Sequence, residues 1–63
     1  MEAYLKKSKI LKEYKEYMKA FNYIRSKEDF IGDFIMMYYR QGKLNMENIN
    51  NAIEYVRRIL KGV

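Results

Sequence analysis

Sixty-three residues allow a single domain (residues 1–63), and a chain of this size buries only a modest share of its surface when it folds alone. With no Cys and no His, disulfides, thiol chemistry and the commonest metal ligands are excluded, so a marginal core has association with a second copy as its natural support. Thirteen basic against eight acidic residues give a net charge of +5, which favours phosphate or an acidic partner, although plentiful Lys, Ile, Asn and Tyr also follow from an A/T-rich genome.

The first predicted element runs from Glu2 to Arg25. Ile10, Tyr14, Tyr17, Phe21 and Ile24 recur at spacings of four and three, flanked by Leu11 and Met18, and no Gly or Pro interrupts them. A helix of that extent is about 36 Å long, the longest of the set. Ser26 and Asp29 then form a capping box, with Glu28, Asp29 and Asp33 placing negative charge near the positive end of a second helix over residues 27–41. Gly42 suits the left-handed position past that helix, and Leu44 can fold back onto its last turn. Asn45 is the expected N-cap of a third helix over residues 46–61. Met46, Ile49, Ile53, Val56 and Leu60 make its apolar face, and Glu54 lies within reach of Arg57 and Arg58. The connections are short, so the expected fold is all-α: a compact three-helix bundle with a long first helix.

The second helix is unusual because its apolar residues exceed one face. Projected at the helical period, Met37, Phe30, Phe34, Tyr38, Ile31, Ile35 and Tyr39 cover an arc of roughly 200°. Gly32, Met36 and Tyr39, at i, i+4 and i+7, form a second seam suited to a homodimer or a protein partner: glycine permits close approach, methionine adapts, and tyrosine tolerates a wet edge. The simpler alternative is a central helix covered by its two neighbours.

The first helix offers a different surface. Lys12, Lys15 and Lys19 share an exposed strip, with Lys9 at its edge and Tyr4 and Tyr23 bordering it, an arrangement suited to backbone phosphates and exposed bases. Arg57, Arg58 and Lys61 add cations on the third helix. Against this stands a solvated face in which Glu13 and Glu16 balance Lys9 and Lys12. A helix-turn-helix reading with Asn50, Asn51, Glu54, Arg57 and Arg58 facing a groove is weaker, since Glu47 and Glu54 would repel phosphate. A membrane-surface role for the first helix competes poorly with packing of its apolar arc inside the fold.

Enzyme chemistry lacks its parts. Ser8 and Ser26 are the only serines and have no imidazole to activate them, and Asp29 with Asp33 reads as a solvated helix start. Gly42 to Glu47 imitates the exit of a calcium loop, but Tyr39, Arg40 and Gln41 stand where oxygen ligands are needed, so neither metal nor cofactor is expected. The longest apolar run, Phe34 to Tyr39, falls far short of the ~20 residues of a spanning helix, and no apolar leader opens the chain. The expectation is a cytoplasmic, non-enzymatic, small basic regulatory or accessory protein that binds nucleic acid through the lysine-rich helix. The alternative is an adaptor or inhibitor acting on another protein through the Met36 and Tyr39 surface.

Overall fold

The computed structural model describes residues 6–63 and shows an all-α, three-helix bundle: α1 (Lys7–Ala20), α2 (Lys27–Arg40) and α3 (Met46–Leu60). The closest packing is between α2 and α3, and α1 lies against both. No helix among the described residues is long and apolar enough to cross a membrane.

Helix α2 begins where the Ser26 to Asp29 pattern places it. The Ser26 hydroxyl accepts from the Asp29 amide at 3.1 Å and the Asp29 carboxylate accepts from the Ser26 amide at 3.1 Å, satisfying two otherwise orphaned donors. Its end also follows the expected chemistry. Gly42 has φ +74°, the Gly42 amide donates to the Tyr39 carbonyl at 3.0 Å, and the Lys43 amide donates to the Tyr38 carbonyl at 3.0 Å, a Schellman closure with Leu44 buried beside it. A Cβ at residue 42 would meet nothing, so the demand for glycine is purely conformational. Gly42→Ala is therefore expected to cost about 1 kcal/mol, read as a lower urea midpoint with an unchanged slope.

Helix α1 differs from expectation. It stops at Ala20 rather than Arg25 and starts at Lys7 after an extended Lys6, so with 14 residues it is no longer than α2, also 14. Glu2 to Leu5, which include Tyr4, lie outside the described residues. The early stop has a local cause. Asn22 (φ 54°) occupies the left-handed position that glycine holds after α2, the Asn22 amide donates to the Lys19 carbonyl, and the Tyr23 amide donates to the Met18 carbonyl at 2.8 Å. This is a second Schellman closure, built on asparagine, one of the few residues that tolerate this conformation. Tyr23 follows with φ 62°, a conformation that costs a bulky side chain on the order of 1 kcal/mol. Ile24, assigned by its spacing to the buried stripe, is 82% exposed instead.

The core consists of Ile10 from α1, Phe30, Ile31, Phe34, Ile35 and Tyr38 from α2, Leu44 from the turn, and Ala52, Val56 and Leu60 from α3. Half of it therefore comes from α2, which is what the wide apolar arc of that helix requires. Rings join α1 to α2: Tyr14 and Tyr17 each meet Phe30 at 5.3 Å, Phe30 stacks on Phe34 at 5.2 Å, and Phe34 meets Tyr38 edge-on at 4.8 Å. Such pairs contribute about 0.5 to 1.5 kcal/mol each beyond the area they bury, a large share of the stability of so small a domain. Asn45 does precede α3, but its side-chain oxygen accepts from the Asn48 side chain at 2.7 Å and caps no backbone amide.

Candidate functional site

Ile10, Tyr14 and Tyr17 turn one side of α1 toward the core, and the helical period carries Lys12, Lys15 and Lys19 to the opposite side, where all three are exposed. Lys9, also exposed, lies at the edge of this ridge. Among the described residues no carboxylate comes within ion-pairing distance of any of these lysines: the ion pairs found are those of Arg57 with Glu28 and Glu54. Glu13 and Glu16, each four residues beyond a lysine of the ridge, sit on the flank facing α2, where they line a cleft with Tyr17, Phe30, Asp33, Phe34 and Met37. The Tyr17 hydroxyl donates to the Asp33 carboxylate at 2.7 Å across this cleft. That hydrogen bond, together with burial and the negative charge of Asp33, holds the Tyr17 phenol above its ordinary value. The bond's contribution is thus present below the ordinary phenol range and is lost as pH rises through the elevated value. On α1, Lys12, Lys15 and Lys19 lie opposite the core, while Glu13 and the exposed Glu16 flank them on the α2 side with Lys9 between these two acids in helical projection.

The cations of α3 are arranged differently. Arg57 donates to both oxygens of Glu28, at 2.8 and 3.2 Å, and to Glu54 at 2.8 Å, so it fastens α3 to the start of α2. The guanidinium holds the Glu28 carboxyl below its usual range, chiefly through these hydrogen bonds. All three side chains are well exposed and water screens the attraction, so the gain in stability is small. Arg57 is nonetheless occupied on the α2 side, and the structure does not join it to the α1 ridge. Arg58 and Lys61 are exposed on α3.

A second surface lies between α2 and α3. Gly32, Ile35, Met36 and Tyr39 of α2 face Met46, Ile49 and Ile53 of α3 across an almost wholly apolar groove of about 320 Å³. Ile35 is buried in it, whereas Met36 is 50% and Met46 72% exposed along it. The seam of Gly32, Met36 and Tyr39 thus lies open at the surface. Neighbouring helices do not cover it. Gly32 is informative because it is exposed in mid-helix, where glycine costs roughly 0.5 to 1 kcal/mol against alanine, yet a Cβ there would meet nothing within 4 Å. Packing among the described residues gives no reason for glycine at this position.

The α3 half of the groove is the part that sequence reasoning missed. Met46, Ile49 and Ile53 counted as core on helical spacing, but Met46 is 72% exposed and Ile49 and Ile53 are only partly buried, whereas Ala52, Val56 and Leu60 are buried. In helical projection Ile53 lies only about 20° from the buried Leu60, so no signal within α3 separates rim from centre. Among the described residues no polar or charged side chain is buried, so both candidate sites are surfaces rather than enclosed pockets. Compared with models of protein families, with curated proteins and with solved structures, the chain matches none of them.

Proposed function

We propose that this protein is a small, non-enzymatic, cytoplasmic accessory protein that binds nucleic acid through the lysine ridge of α1 and pairs with a second copy through the α2–α3 groove. The observation that carries the first part is the row of Lys12, Lys15 and Lys19 on the side of α1 opposite the core, with Lys9 at its edge: all are exposed and, among the described residues, none has a carboxylate partner, while Glu13 and Glu16 line the cleft toward α2. A row of unneutralised ammonium groups gains free energy by releasing the cations condensed on a polyphosphate. Arg58 and Lys61 supply further positive field from α3, and Arg57 contributes less because its donors are committed to Glu28 and Glu54.

The second part rests on Gly32 and on the charge order of α2. In an antiparallel pair of α2 helices related by a dyad between Ile35 and Met36, Gly32 of each copy faces Tyr39 of the other, a notch opposite a ring. The same symmetry brings the acidic start of α2, Glu28 and Asp29, alongside the basic end, Arg40 and Lys43. Two ridges on one particle then bind a strand with raised effective concentration.

Sedimentation of the protein with and without a mixed-sequence 20-base-pair duplex, across a salt series, tests both parts. With about four lysines engaged per protomer, affinity should fall roughly 100-fold between 50 and 200 mM salt. Affinity that does not change with salt overturns the nucleic-acid reading. For the pairing, Met36→Lys is expected to yield a monomer with unchanged far-ultraviolet helicity, since Met36 is half exposed and outside the core. A parent protein that sediments as a monomer at millimolar concentration overturns the pairing and leaves the groove to a different protein, as the adaptor reading requires.

A further inference from the structure

The turn between α1 and α2 displays an aromatic ring in a costly way. Tyr23 adopts φ 62° and is 71% exposed, so its conformation is not compensated by packing of its own ring. Phe21 and Arg25 of the same turn are occupied. Phe21 meets Tyr17 at 4.8 Å and carries the Arg25 guanidinium over its ring at 4.6 Å, which fixes the turn from both sides. The Tyr23 amide is bound to the Met18 carbonyl, so the residue is held against the last turn of α1, the turn that carries Lys19. Backbone strain maintained around an exposed side chain is a feature of sites that use that side chain.

The geometry points to Tyr23 as a stacking platform for an unpaired base, at the end of a phosphate path formed by Lys12, Lys15 and Lys19. This rests on the nucleic-acid reading of the ridge and narrows it to single-stranded nucleic acid. A base inside a duplex presents only its edge, whereas an unpaired base offers a face that a tyrosine ring can cover, whatever its sequence. The adjoining lysines supply the charge such stacking normally accompanies. An anionic membrane suits the turn less well. The apolar side of α1 is already packed against Phe30, which leaves little beyond Tyr23 and Ile24 to enter a bilayer.

The test compares the full chain with Tyr23→Gly and Tyr23→Phe, using (dT)20, (rU)20 and a mixed-sequence duplex across one common salt series, with anionic phosphatidylglycerol vesicles as a fourth probe. Glycine removes the ring and relieves the strain, so Tyr23→Gly should melt at a higher temperature and yet bind one or both single strands roughly 5- to 100-fold more weakly, with duplex affinity and salt slope unchanged. Tyr23→Phe keeps the ring and should bind like the parent. Comparison of (dT)20 with (rU)20 separates a DNA from an RNA preference, and stacking on either supports the inference. Single-strand affinity unaffected by Tyr23→Gly overturns it, as does a loss confined to vesicle binding. The ridge is judged separately. Reversal of Lys12, Lys15 and Lys19 that weakens all nucleic-acid probes while Tyr23→Gly weakens none leaves the broader reading standing and removes only this one.

Discussion

Phe34→Ala is expected to leave the chain largely unfolded at room temperature. Phe34 is 3% exposed and sits between Phe30 at 5.2 Å and Tyr38 at 4.8 Å, so truncation breaks the ring series in its middle and opens a void that rigid neighbouring rings fill poorly. Buried Phe→Ala changes cost about 3 to 5 kcal/mol, and a single core of this size supplies only about 3 to 5 kcal/mol in total. The two quantities are equal in size, so the folded population collapses where a larger protein would merely soften. Far-ultraviolet dichroism should show lost helicity, and the near-ultraviolet tyrosine signal should flatten. Met37→Ala is the matched control: Met37 neighbours the same cleft but is 40% exposed, and its loss should change stability by about 0.5 kcal/mol or less. A Phe34→Ala protein with parental helicity and a cooperative melt would show that the core does not depend on this series. Recovery of its helicity on raising protein concentration would instead show that self-association supplies the missing free energy.

The parts of this fold that were legible in the sequence are those decided by local chemistry. A hydroxyl three residues before a carboxylate caps a helix through two short hydrogen bonds, and a glycine past a helix end supplies a backbone angle other residues resist; Ser26 with Asp29 and Gly42 needed nothing from elsewhere in the chain. The end of α1 was illegible because two signals conflicted. Phe21 and Ile24 continue the helical spacing past the true stop, whereas Asn22, a weaker left-handed residue than glycine, terminates it. The spacing of apolar residues records a possible buried face, and at Ile24 that face is solvent. The same limit explains the groove. The excess arc of α2 could be read from α2 alone, but its joining with Met46, Ile49 and Ile53 depends on how α3 is rotated against α2, which periodicity within one helix leaves open.

Reversing the charge of Lys12, Lys15 and Lys19 together should abolish nucleic-acid binding while leaving the fold intact. All three are exposed on the side of α1 away from Ile10, and among the described residues none has an ion-pair partner to lose, so change to Gln should hardly move the thermal midpoint and change to Glu should lower it only by the repulsion from Glu16, about 0.2 to 0.5 kcal/mol per like-charge pair. Binding responds quite differently. In the counterion-release relation each phosphate contact contributes a slope near −0.9, so neutralising three by change to Gln costs roughly 500-fold at 0.1 M salt. Change to Glu goes further, because three changes of two units each take the net charge from +5 to −1 and replace attraction by repulsion along the ridge. The Gln series therefore measures contacts, and the Glu variant measures the field as well. The two should diverge most at low salt and converge as screening shortens the Debye length to about 3 Å near 1 M. A specific prediction about mechanism follows from their comparison with Arg57→Gln. If the ridge is the contact, that change should shift the salt slope far less than any one lysine of α1, since Arg57 is already held by Glu28 and Glu54. An Arg57 effect equal to that of the lysines would move the binding face to α3 and disprove the assignment to α1.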